Sequence, residues 1–397
     1  MTDSARRRQR LAERLVADKA LVSPVLRTAV EAVPRELFLQ PGVFLDEGTM
    51  WRPVSAAATA PAEWLEIAYR HDSLTTQLDG HLTADQTTEP VAGVPTSSST
   101  TPATVIRMIE ALDPRPGHRV LEIGTGTGYS SALMCHCLGA DHITTVEVDP
   151  QVAQRADLAL EALGYSAWTV TGDGLLGHPR NAPYDRVIAT CAIRRIPHAW
   201  VRQTAPGGTI LATLGSWPFG TGLAKLTVGH HGQAEGRIVS RSSFMHARSQ
   251  APEPLAGDLS ARTAYPDSER RTKVSPALLD DWTPAFVAQL AAPGTQLVRA
   301  TRTDGTRLLY LLDPGHESFA EFAAVGVGDG DGDGDGDGWI VRQGGPVLLW
   351  DRVEAFLLAW QAANRPDIDT VRIRVTQEAH HYWIEGVPDL RWEHRVH

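Results

Sequence analysis

The sequence predicts an α/β chain, with a doubly wound, mostly parallel sheet preceded by N-terminal helices and followed by a second, smaller α+β domain. Three observations predict it. Apolar, β-rich runs (RVLEI, HITTVEV, AWTVT, DRVIAT and GTILATL, between residues 117 and 215) alternate with amphipathic stretches, the pattern of βαβ units whose sheet is buried on both faces. The first run leads directly into a glycine-rich turn and then a helix. After about residue 245 the breaker-rich MHARSQAPEPLAGD gives way to hairpin-like and helical patterns of a different order.

Residues 1–40 read as helices, because Leu11, Leu15, Leu21, Val25, Ala29 and Val33 recur at roughly helical intervals before Pro34 interrupts them. Residues 41–95 show no sustained period and are expected to be loops with short helical pieces. In the last third, RATRTDGTRLLYLL signals a hairpin, VLLWDRVEAFLLAWQAA a helix, and TVRIRVT and HHYWIEG two strands. The expected organisation is 1–95 as helical cap and loops, 96–245 as the cofactor-binding core, and 246–397 as a substrate-recognition domain. Residues 328–338 alternate Gly and Asp, which bury no surface and repel one another, so a disordered loop is expected there. Its five carboxylates lack the ligand order of a calcium loop.

Composition narrows the class. Of 397 residues, 42% are hydrophobic and 21% charged, with no apolar run long enough to span a bilayer and no secretory signal at the start, so a cytoplasmic protein is expected. Three cysteines, Cys135, Cys137 and Cys191, frame no disulfide scaffold. A net charge of -10 argues against nucleic acid, and Arg6, Arg7, Arg8 and Arg10 read as the solvated face of a first helix. Cys135-His136-Cys137 sits on a helix whose positions 135 and 137 face different ways, and His380 and His381 alternate in a strand, so structural roles are expected and no metal is implied.

The chemistry concentrates in Val120–Ser130, where Gly124, Gly126 and Gly128 allow a sharp turn and a ligand's close approach. A dinucleotide turn would place its third glycine one residue later. Glu122 would face a pyrophosphate unfavourably but suits the ammonium of a methionine moiety, directly or through water, which favours S-adenosylmethionine (AdoMet) over NAD. Glu147, at the end of the next strand and about 20 residues on, is placed to meet ribose hydroxyls. Asp173, between Gly172 and Gly174, suits an adenine amino group. With their neighbours, the expected cofactor contacts are Glu122, Gly124, Thr125, Gly126, Gly128, Tyr129, Glu147, Val148, Gly172, Asp173, Gly174 and Thr190.

Val33-Pro34-Arg35-Glu36-Leu37-Phe38, the VLEIGTGTGYSSA run, Pro183–Ile188 and Pro206-Gly207-Gly208 together make residues 8–230 resemble the protein-L-isoaspartate O-methyltransferases, a class I methyltransferase family. The resemblance implies methylation of a peptide or protein carboxylate, with a Ser or Thr hydroxyl just before the helix preceding the first core strand. Here that stretch is Pro95–Pro102: Thr100 falls where the family has serine, Ser99 and Ser98 precede it as catalytic candidates, and Ser97 and Thr101 are expected to bind substrate. Thr101 can also cap the following helix, with Pro102 in its first turn. A carboxylate with a pKa near ~4 is ionised at neutral pH and needs no general base.

The segment after 245 exceeds the length of the family's ordinary repair enzymes. It resembles the extension of a branch that methylates an Asp side chain in cyclised ribosomal peptides (lanthipeptide or graspetide products), the ester then collapsing to an aspartimide. That tailoring activity is the first expectation, with general isoaspartyl repair as the alternative. An AdoMet sensor without catalysis is a third reading, disfavoured by the intact turn and both spaced carboxylates.

Overall fold

The structure is a computed structural model and describes residues 2–252, 259–301, 307–324 and 338–396. Residues 328–337 of the Gly-Asp tract, with the loop, calcium and disorder readings attached to them, lie outside the described residues.

The chain divides into two compact units. The first comprises Met1–Cys191, Pro197–Leu211 and Thr227–His230; the second comprises Ala192–Ile196, Ala212–Leu226 and His231–His397. The composition shift near 246 therefore falls inside the second unit, which also takes in strand segments that read in the sequence as part of the core.

In the first unit, helices α1 (Asp3–Ala17) and α2 (Pro24–Ala32) form where expected; Leu11, Leu15 and Ala29 are buried as their spacing predicts, but Val25 is exposed, Leu26 and Val30 take the buried face of α2 instead, and Leu21 and Val33 lie outside the helices. On the first helix Arg6 and Arg10 are exposed, and Arg6 and Arg7 pair with Asp3, but Arg8 is half-buried and donates to the Glu31 carbonyl (2.7 Å) and the Ser4 hydroxyl (2.6 Å), so the solvated-face reading is corrected for it. A 3-10 turn (Arg35–Leu39) follows. The expectation of loops over 41–95 is corrected. This region holds β1 (Gly42–Asp46), β2 (Trp51–Ser55), α3 (Pro61–Ala68) and β3 (Leu74–Leu78), and with β4 (Pro95–Ser99) the strands make a sheet of order β2-β1-β3-β4. The strands are five residues long, and β3 buries Thr75, Thr76 and Gln77 as fully as its leucines, so no polar alternation marked them.

Helix α4 (Pro102–Leu112) leads into the core: β5 (Val120–Ile123), α5 (Tyr129–Leu138), β6 (Ile143–Glu147), α6 (Pro150–Glu161), β7 (Trp168–Thr171), β8 (Tyr184–Ile193), α7 (His198–Gln203) and β9 (Thr204–Leu214). The sheet order is β7-β6-β5-β8-β9, with β5 parallel to β6 and β8, and β6 parallel to β7. Helices between parallel strands leave the C-terminal strand ends of β5, β6, β7 and β8 side by side, where such sheets bind ligands.

The second unit contains strands of two sheets, the first of them the ten-stranded sheet in which β10 follows β9. One pairs β10 (Gly222–Val228), β11 (Ala234–Arg241), β17 (Val371–Val375), β18 (Ala379–Ile384) and β19 (Val387–Arg395) in that order. After a short helix α8 (Leu259–Arg262) the other is built from β12 (Ser268–Arg271), β13 (Gln296–Thr301), β14 (Arg307–Asp313), β15 (Ser318–Ala324) and β16 (Trp339–Gly344), in the order β12-β16-β15-β14-β13. Helices α9 (Trp282–Ala291) and α10 (Leu349–Ala362) complete it. The predicted hairpin is β13-β14, the helix is α10, and TVRIRVT and HHYWIEG are β17 and β18. His380 is buried and His381 half-exposed, as alternation requires. No helix among the described residues is long and apolar enough to cross a membrane.

Candidate active site

The glycine turn is built by backbone that only glycine adopts readily: φ is 88° at Gly124, 53° at Gly126 and 87° at Gly128. A Cβ at Gly124 would lie 3.0 Å from Thr190 Oγ1, and one at Gly126 would lie 3.6 Å from the Ser98 carbonyl oxygen. Thr190, near the middle of β8, donates to the carbonyls of Ile123 (3.1 Å) and Gly124, and so clamps the turn from the neighbouring strand. Thr125 is buried, its hydroxyl 2.7 Å from that of Thr145. Gly128 begins α5 and brings it close to α6, where a Cβ would stand 3.1 Å from that of Ala156.

Glu147 closes the other side. Its Oε2 accepts from the Gly126 N–H (2.9 Å) and its Oε1 from the Asp149 N–H (3.1 Å). Asp149 then caps α6 through the N–H groups of Gln151 (2.9 Å) and Val152 (3.1 Å). Val148, 43% exposed, offers an apolar face beside Glu147, and the Gly172 N–H donates to the Glu147 carbonyl (2.9 Å). Asp173 is exposed and caps the Gly174–Leu176 turn by accepting from the Leu175 N–H (2.9 Å). Burial, with the charges of Glu147 and Asp173, pushes the Cys191 thiol up to about 12. The strand ends thus bring Gly124, Gly126, Glu147, Val148, Gly172, Asp173 and Thr190 into one site.

Two expected contacts are placed elsewhere. Glu122 is fully buried beneath the turn, its carboxylate accepting from the hydroxyls of Ser130, Ser131 and Thr145 (2.9 Å for the last), and burial raises its pKa. It cannot meet a ligand ammonium directly; it pins α5 and β6 under the turn, and its hydroxyl donors offset the cost of burying it. Tyr129 is likewise buried and packs edge-on against Phe38, with ring centroids 5.9 Å apart. Cys135 is buried, His136 is exposed against the Tyr165 hydroxyl (3.0 Å) and Cys137 is half-buried, so the three do not converge.

The hydroxyl-rich stretch is an edge of the small sheet rather than a loop. Strand β4 pairs antiparallel with β3, Ser99 opposite Leu74, Ser98 opposite Thr75 and Ser97 opposite Gln77. Alternation buries Ser97 and Ser99 and leaves Ser98 and Thr100 half-exposed. Ser97 is engaged by the Thr76 hydroxyl (3.0 Å). Thr101 precedes α4 but does not cap it, which corrects that expectation: its hydroxyl lies 3.3 Å from that of Ser73, and its N–H also donates to Ser73 (3.2 Å). Pro102 occupies the first turn as expected. A link from Thr96 through Gln77 (2.9 Å) to Asp149 (3.4 Å) fastens this sheet to the helix that follows Glu147. A cleft of about 380 Å³ between the two is lined by Phe38, Thr76, Ser97, Gly126, Thr127 and Arg155.

Sequence reasoning missed what holds the stretch in place. Arg35, from the VPRELF motif, is fully buried and donates to five backbone carbonyls: Ala68 (2.7 Å), Arg70 (3.1 Å), Asp72 (3.2 Å), Ser99 (3.4 Å) and Thr100 (3.4 Å). Burial lowers its pKa to about 10, so it remains cationic at neutral pH. One guanidinium thereby fixes the end of β4 to the segment after α3.

The family model described as Protein-L-isoaspartate(D-aspartate) O-methyltransferase (PCMT) matches residues 65–243. Proteins named protein-L-isoaspartate O-methyltransferase are similar to the chain in Ignicoccus hospitalis (41% identity, 33% of this chain and 62% of that protein), Hyperthermus butylicus (32%, 52% and 75%) and Pyrobaculum neutrophilum (32%, 52% and 82%). The first of these alignments thus spans less than two thirds of its relative. A solved structure of a protein of that name superimposes with a TM-score of 0.53 at 19% identity, covering 95% of this chain and 99% of its own, which speaks to the fold of both units.

Proposed function

The chain belongs to the protein-L-isoaspartate O-methyltransferase family, and from that membership we propose that it transfers a methyl group from AdoMet to the carboxylate of an isoaspartyl residue in a peptide or protein. The observation that carries the reading is the juxtaposition of β4 with the glycine turn, the Ser98 carbonyl standing within reach of any side chain placed at Gly126.

The residues present fit the cofactor. The turn has no Cβ at Gly124, Gly126 and Gly128, Glu147 offers acceptors to ribose hydroxyls, Val148 an apolar face to adenine, and Asp173 an acceptor at the rim. When bound, AdoMet supplies an electrophilic sulfonium methyl. Ser98 and Thr100, half-exposed on one side of β4, orient the acceptor carboxylate, and the N-terminus of the eleven-residue α4 favours its charge. Because the carboxylate is already ionised, no side chain needs to remove a proton, and the rate rests on orientation and exclusion of water. Arg35 serves this indirectly, by holding the carbonyls of Ser99 and Thr100.

The reading is tested by offering labelled AdoMet to the full chain with an isoaspartyl peptide, its aspartyl isomer and a cyclised aspartyl peptide. Label on the isoaspartyl peptide alone is expected. Label only on the cyclised peptide, followed by loss of water mass, would replace it with the tailoring activity. That second reading is motivated by the C-terminal unit, but a solved protein of the isoaspartate name has a similar fold across 95% of this chain, so the extension alone does not favour tailoring.

A further inference from the structure

We propose that the open face of the β11-β17-β18-β19 sheet is a docking surface for an acidic segment of the substrate, centred on Trp383 and Arg391. The proposal rests on the acceptor being a peptide or protein, and names a surface of the second unit that would contact a part of it other than the reacting carboxylate.

The register places Arg237 beside Arg372, Arg372 beside Trp383, and Trp383 beside Arg391, one residue from each of four adjacent strands. The intervening Ile373, Tyr382 and Trp392 point the other way and are buried, so this row faces outward. Next to it run Glu235, Arg374, His381 and Glu393. Together Arg374, His381, Trp383, Arg391 and Glu393 line a depression of about 440 Å³.

Charge on this face is unevenly compensated. Glu235 holds Arg374 (2.6 Å), Glu385 holds Arg372 (2.6 Å), and Glu393 holds Arg395 (3.0 Å). Arg237 and Arg391 have no hydrogen-bond or ion-pair partner among the described residues, Asp389 on the same side of β19 included. Two uncompensated guanidinium groups are left flanking an aromatic ring, on a chain whose net charge is -10. Arginine and tryptophan are the side chains that anchor interfaces most strongly.

The occupant follows from that spacing. Three strand separations put Arg237 and Arg391 about 14 Å apart, roughly four residues of an extended peptide. A segment with two carboxylates at that interval would pair with both arginines and lay its stem over Trp383. The interleaved glutamates Glu235 and Glu393 would repel a continuous phosphate backbone, so nucleic acid is the poorer match.

The test uses the full chain and a labelled linear peptide carrying an isoaspartyl residue followed by two glutamates four residues apart, with a glutamine version as control. Binding is read by fluorescence anisotropy and methyl transfer on the same peptides. Arg391→Glu is expected to weaken binding of the glutamate peptide about tenfold, and a lysine version of the peptide is expected to recover that loss on the variant, a rescue that a misfolded protein would not give. Equal binding of the glutamate and glutamine peptides, or of wild type and Arg391→Glu, would overturn the docking surface. The two readings separate cleanly: methylation indifferent to the glutamates sinks the docking surface alone, whereas glutamate-dependent binding without methylation supports the surface and sinks the proposed acceptor.

Discussion

Arg35 offers the sharpest perturbation, because a single side chain joins the VPRELF motif to the hydroxyl-bearing strand. Arg35→Met keeps much of the buried volume and removes every donor, leaving the carbonyls of Ala68, Arg70 and Asp72, each now bonded within 3.2 Å, and the longer Ser99 and Thr100 contacts. Each buried carbonyl left without a donor costs about 1–3 kcal/mol, so unpairing the three close ones, partly offset by relaxation, costs about 3–5 kcal/mol. At roughly 2–4 °C per kcal/mol for a unit of this size, the melting temperature should fall by about 10 °C. Arg35→Lys, whose ammonium has three donors, should lose about half as much. Thermal melts give the first readout; the second is kcat normalised to the fraction of chains that bind cofactor. That normalised kcat should drop at least about tenfold, or ~1.4 kcal/mol, while cofactor affinity stays within about threefold, because Arg35 touches β4 and not the glycine turn. A melt within about 2 °C of wild type, or a normalised kcat unchanged at a permissive temperature, would refute the positioning role.

Other perturbations separate the parts of the site. Gly124→Ala places a Cβ 3.0 Å from Thr190 Oγ1 on backbone with φ near 88°, and calorimetry should show cofactor affinity weakened about tenfold or more, a strain of ~1–2 kcal/mol; wild-type affinity would contradict the turn geometry. Thr100→Ala should lower kcat by about 10- to 100-fold with Thr100→Ser near wild type, and equal rates for all three would pass the role to Ser98. Burial depresses His380 and His394 to about 4, so the unfolded chain takes up their protons first and stability is lost as pH falls from 6.5 through about 4. Each contributes up to about 3 kcal/mol of that dependence. His380→Gln, able to donate to the Ile196 carbonyl that His380 Nε2 now meets at 3.1 Å, should flatten the difference between denaturant midpoints at pH 7 and pH 4.5, and an unaltered difference would place the pH sensitivity elsewhere.

The core strands were legible because short β-rich segments with apolar residues on both faces recur between amphipathic stretches: Val120, Leu121 and Ile123 in β5, Ile143 and Val146 in β6, interrupted only by the buried Glu122, Thr144 and Thr145. The glycine turn was legible for the same local reason, since its conformation is written in three alternating residues. What failed was long-range and polar. Thr75, Thr76 and Gln77 are buried in β3 by pairing and packing that no local period announces, so the small sheet went unseen. Glu122 sat where a strand meets a turn and was read as facing the ligand; the hydroxyls that claim it come from Ser130, Ser131 and Thr145, and their convergence exists only once α5 folds back over β5. Arg35 was visible as a motif letter and silent as to purpose, because its partners are carbonyls 33 to 65 residues away and carbonyls carry no sequence signal.

The central claim, transfer to a carboxylate, is tested most directly by the base lability of the product. The full chain is incubated with methyl-labelled AdoMet and an isoaspartyl peptide, the peptide is isolated, and mild alkali is added while volatile label is collected as methanol. The account predicts that essentially all peptide-bound label is released, as a methyl ester requires. Label that survives alkali would mean an amine or carbon acceptor and would contradict it.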